Sequence, residues 1–149
     1  MLSPFLKKLL FVRQFIMTDG KIEVLGQQQV MLPLTALASM QNDQTFDLIS
    51  REMKKSMEAY GKKMGGSANG MVKTVQDIYE TTGLGKMEIL KLDTAGKKVI
   101  LRMQNIRFER TDVVEGVVCG LFTYLLSKEL TRKDIKVTKK STYIDISIS

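Results

Sequence analysis

The stretch 113–126, VVEGVVCGLFTYLL, carries a single charge, Glu115. Val113, Val117, Leu121 and Tyr124 fall on one side of a helix, with Val114, Val118, Phe122 and Leu125 beside them. A helix that is apolar around nearly its whole circumference must be covered on every side, and this one is too short to span a bilayer. The chain must therefore wrap other elements around a central helix, read as residues 113–127. Gly116, Gly120, Thr123 and Ser127 run along it as a stripe of small residues, where another backbone or a ligand can come close.

Strand and helix patterns on either side supply the wrapping. Residues 10–17 and 22–25 flank Thr18-Asp19-Gly20-Lys21, and an Asp-Gly pair between two such runs predicts a β-hairpin. The first run is apolar on both faces apart from Arg13 and Gln14, so it is expected to be covered twice, by helices or a partner chain. Pro33 opens a short helix over 34–40. Asn42 or Asp43 caps a long one, in which Phe46, Ile49, Met53, Met57, Tyr60 and Met64 share a face while Lys54, Lys55, Glu58 and Lys62 fall off it. A glycine-rich stretch, 65–70, ends that helix. The next turns Met71, Val75, Ile78 and Tyr79 inward and closes at Gly83. Residues 86–92 and 98–104 alternate with a period of two, Asp112 is placed as the cap of the central helix, and strands 135–137 and 144–148 end the chain. The order ββααα, ββ, α, ββ indicates an α+β fold with an antiparallel sheet of hairpins packed on helices. With 149 residues, no repeat and no flexible linker, the chain is read as one domain, 1–149.

Composition removes several chemistries. There is no histidine, hence no histidine-based triad and no imidazole metal site, and one cysteine, hence no internal disulfide and no multi-thiolate zinc site. Cys119 lies in the apolar helix with no basic residue a turn away, which describes a small hydrophobe better than a nucleophile. No targeting segment is recognisable, and the expected location is the cytoplasm. The net charge of +7 gathers around Arg51–Lys63 and Lys128–Lys140. It could attract phosphates, but without interleaved aromatics or a helix-turn-helix it reads as solvated surface, and nucleic acid is not the expected partner. Neither glycine loop has the ending of a P-loop or the context of a dinucleotide fingerprint.

Arg102-Met103-Gln104-Asn105-Ile106-Arg107-Phe108-Glu109, the paired glycines of Gly116–Phe122, and the closing strand Tyr143-Ile144-Asp145-Ile146 resemble the 4-vinyl-reductase-like domain family. The resemblance implies an α+β fold shared with TRAPP tethering-complex subunits and heme nitric-oxide-binding domains. It also implies a module that binds small hydrocarbon or lipid-like molecules, is frequently dimeric and is coupled to regulation. Family members often carry cysteines suspected of metal binding; Thr111 and Ile144 stand near two of those positions here, so no metal and no cofactor are expected.

The function expected is non-enzymatic binding of a small hydrophobic molecule. Phe46, Met53, Met57, Tyr79, Phe108, Cys119, Gly120, Phe122 and Leu126 are candidates for the lining, and Arg107 and Arg110 for an acidic head group. The methionines suit irregular apolar shapes, although they fill ordinary cores equally well. The alternatives are a homodimeric interaction module joined through its small-residue helix or first hairpin, and a vinyl reductase using Glu109 or Tyr79 as proton donor.

Overall fold

A computed structural model describes residues 15–24, 27–64, 68–107 and 109–149. By its internal contacts the chain divides into two units, 1–34 and 35–149.

The first unit holds an antiparallel sheet of β1 (Phe15–Thr18), β2 (Lys21–Val24) and β3 (Gln27–Gln29), in that order. Thr18 pairs with Lys21, and Asp19 and Gly20 adopt φ of 50° and 75°, the left-handed turn that the Asp-Gly pair predicts. The third strand was not expected. Its three glutamines have no apolar period, and it pairs antiparallel with β2, Gln27 opposite Val24 and Gln29 opposite Ile22. Ile16 and Met17, on opposite faces of the first strand, are 48% and 68% exposed in the single chain, so of the two expected covers, helices or a partner chain, helices do not enclose the described part of the strand. Residues 10–14 of that expected strand lie outside the described residues.

At the boundary of the second unit α1 (Leu34–Ala38) starts directly after Pro33. α2 (Asp43–Met64) is capped by Asn42, whose Oδ1 accepts the Thr45 amide at 2.8 Å. Phe46, Met57 and Tyr60 are buried along its expected face, with Ile49 and Met53 half-buried. α3 (Ala68–Thr81) begins inside the glycine-rich stretch and buries Met71, Val75, Ile78 and Tyr79, and Gly83 follows it at φ 76°.

β4 (Lys86–Asp93), β5 (Lys98–Gln104), β6 (Ile135–Lys139) and β7 (Tyr143–Ile148) form one antiparallel sheet in the order β4-β5-β7-β6. One face buries Met87, Val99, Leu101, Met103, Ile144, Ile146 and Ile148. On the other, Glu88, Arg102 and Asp145 lie in register across three strands. There the Arg102 guanidinium grips Asp145 at 2.9 and 3.1 Å and lies 4.0 Å above the Tyr143 ring. The fold class is α+β, as the pattern of elements predicts.

α4 (Asp112–Leu125) runs between β5 and β6 in the chain and is buried at every residue except Tyr124. The backbone that meets its small-residue stripe belongs to α2. A Cβ on Gly116 would stand 2.9 Å from the Phe46 carbonyl, and one on Gly120 would stand 2.5 Å from the Ser50 carbonyl and 2.6 Å from Met53 Cβ. Among the described residues no helix is long and apolar enough to cross a membrane.

Candidate functional site

Of the residues singled out from the sequence, Phe46, Met57, Tyr79, Cys119, Phe122 and Leu126 are buried in the core of the second unit. Met53 is half-buried against Gly120. Arg107 is exposed, and Phe108 lies outside the described residues. The Tyr79 hydroxyl donates to the Leu84 carbonyl at 3.5 Å, and burial pushes its ionisation well above that of a free phenol. A phenol made less acidic is a poorer proton donor. Burial likewise raises the Cys119 thiol, outweighing hydrogen bonds with Ser50 and Thr123 that act the other way, and its S–H donates to the Leu130 carbonyl at 3.5 Å. It is a buried hydrophobe that keeps its proton. Glu109 is exposed, and its carbonyl accepts the Lys139 ammonium.

The mouth of α4 is held by charge. Thr111, not Asp112, occupies the cap position, and its hydroxyl donates to Glu115 at 2.6 Å. The open amide of Val113 is satisfied by Gln41 Oε1 at 2.9 Å, brought in from the turn before α2. Asp112 is thereby left for another task. Its buried carboxylate accepts Arg110 Nε at 2.9 Å and Arg132 Nη2 at 2.7 Å. Burial pushes the Asp112 carboxyl up, but the hydrogen bonds and charges of the two arginines outweigh it and hold the group below the usual carboxylate range. Arg132 also lies 4.3 Å over the Phe46 ring and 3.6 Å from Glu115. One guanidinium thus ties the turn before β6 to α4 and to the start of α2. Arg110, expected to meet a head group, already has Asp112 as its partner.

At the other end of α4 lies a cleft of about 710 Å3, lined by Lys54, Glu58 and Lys62 of α2, Met71 of α3, Thr123, Tyr124 and Leu125 of α4, and Ser127, Lys128 and Glu129 beyond it. Met71 and Leu125 are buried and give it an apolar floor. Lys54 pairs with Glu129 and stands 3.9 Å from Glu58. The last carbonyls of α4 are closed by its own turn: Phe122, Tyr124 and Thr123 accept from the amides of Leu126, Ser127 and Lys128 at 2.9, 3.1 and 3.2 Å. That turn forces Ser127 to φ 47°.

None of the cleft residues was among the sequence candidates for the lining, although Thr123 and Ser127 belong to the small-residue stripe; its lysines and glutamates read as a solvated face and come from separate segments. One signal could have found it. Gly61 stands inside a long helix, where glycine is unfavourable unless something comes close. What comes close is the Tyr124 ring: a Cβ on Gly61 would overlap its hydroxyl oxygen at 1.7 Å.

No family model matches the sequence, and no curated protein matches it. Among solved structures the chain is similar to the phenol-responsive sensory domain of the transcription activator PoxR, crystallised with phenol. The TM-score is 0.69 and the identity 13%, over 99% of this chain and 91% of that one. At such identity the likeness is one of fold.

Proposed function

We propose that this chain is a non-enzymatic sensory module that binds a small hydrophobic molecule and passes the binding event to a regulatory partner. The observation that carries this reading is the likeness of fold, over nearly the full length of both chains, to a sensory domain that responds to phenol. The resemblance of residues 102–109, 116–122 and 143–146 to the 4-vinyl-reductase-like family points to the same class of ligand.

In this reading the guest enters at the cleft by the end of α4. Met53, Met57, Cys119, Phe122 and Leu126 do not line it; they are neighbours in sequence of the cleft residues on α2 and α4. Mass spectrometry of the purified protein, first native and then denatured, tests it. The expected result is a small organic molecule held in the native spectrum and released on denaturation, or uptake of added apolar compounds by protein purified empty. Failure of both ends the reading.

A second reading is favoured by the exposure of Ile16 and Met17 on both faces of β1. In it the first unit pairs with a second copy of the chain, and the dimer is the form that signals. Sedimentation of the full chain at micromolar concentration decides: a monomer alone rules it out.

A further inference from the structure

The cleft is unevenly charged, and the imbalance falls at one place. Three lysines line it against two glutamates. Both glutamates face Lys54, Glu129 as a direct ion pair and Glu58 at 3.9 Å. Lys128 reaches out of the cleft to Asp134 at 3.2 Å. Lys62 remains, exposed and without an ion partner among the described residues.

A lysine in the last turn of α2 suits that helix's negative end, which would explain its presence on any surface. That alone does not explain the surroundings. Lys62 stands at the rim of a cavity with an apolar floor and hydroxyls at Thr123, Tyr124 and Ser127. The exposed carbonyls of a helix end would repel an anion, but those of α4 are already occupied by amides of its own turn.

We infer that the ligand of this cleft is an anionic amphiphile, with its acid group on the Lys62 ammonium and its apolar body on Met71 and Leu125. The inference rests on the binding function proposed above and adds the chemistry of the head group. A charge-assisted contact at a half-open rim favours the acid over a neutral analogue of equal chain length by about fivefold.

Calorimetric titration of the full chain with octanoate and with octan-1-ol separates the two claims. Tighter binding of octanoate, lost in Lys62→Glu and kept in Lys62→Arg while octanol affinity stays constant, is the expected result. The preference should also shrink as salt is added. Equal binding of the two probes overturns the anionic head group and leaves the hydrophobic-binding function standing. A preference for octanoate that survives Lys62→Glu overturns the role of Lys62. If neither probe binds, the cleft is not the ligand site and both claims fall.

Discussion

A methyl group added at Gly120 would meet the Ser50 carbonyl and the Met53 Cβ, both fixed to the body of α2, so the two helices would have to move apart. Overpacking of this kind predicts that Gly120→Ala costs about 1–3 kcal/mol in urea denaturation. Gly61→Ala should cost less, because the obstacle is the end of the Tyr124 side chain, which can swing away, and it should reshape the cleft as it does so. Both glycines carry their reason in a neighbouring element, and only Gly120 stood out beforehand, through its spacing with Gly116. Asp112 gives a prediction of a different kind. Its carboxyl titrates lower in the folded protein than in the unfolded chain, so it contributes stability that is complete above about pH 4 and is lost as pH falls through the lower folded value. Asp112→Asn removes the anion between Arg110 and Arg132 and should cost about 1–3 kcal/mol at neutral pH, discounted for the exposure of the two arginines. The loss of stability as pH falls below about 4 should then be shallower in the variant, as acid denaturation curves would show.

Elements announced themselves where burial enforces a period. The faces of α2 and α3, the alternation in β5 and β7 and the nearly all-apolar α4 were legible because a buried side chain must recur every two or every 3.6 residues. β3 was not, since three glutamines at a sheet edge, none of them fully buried, leave no apolar period to read. The start of α4 was misplaced by one residue for a related reason. Asp112 is a good cap by type, but here Arg110 and Arg132 claim its carboxylate and Gln41 serves the helix amide instead, a partner far away in sequence. The end of α4 offers a test at this scale. Ser127 adopts a left-handed φ of 47°, with its amide donating to the Tyr124 carbonyl at 3.1 Å and its own carbonyl accepting from the Lys97 ammonium at 2.9 Å. Ser127→Gly removes the strain without touching those bonds, and it is expected to stabilise the protein by about 0.5–1 kcal/mol, read as a rise in the thermal midpoint. An unchanged or lower midpoint would mean that the added freedom of the unfolded chain cancels the relief.

On the scale of the whole molecule, the sequence gives no sign of a division near residue 34. Val30, Met31 and Leu32 are apolar, the reverse of a linker composition, and the boundary between the two units is visible only in the contacts. Burial is distributed very unequally across it. Among the described residues every buried hydrophobic one lies between Phe46 and Ile148, and no described side chain between 16 and 34 is buried. Since hydrophobic burial is the dominant favourable term in folding, the stability of residues 35–149 should not depend on the first unit. A chain beginning at Pro33, which keeps the first turn of α1 intact, is therefore expected to unfold in one cooperative transition, with a urea midpoint close to that of the full chain by circular dichroism. It should also keep the cleft at the end of α4, whose lining falls wholly within 54–129. A shortened chain that unfolds without cooperativity would overturn that independence.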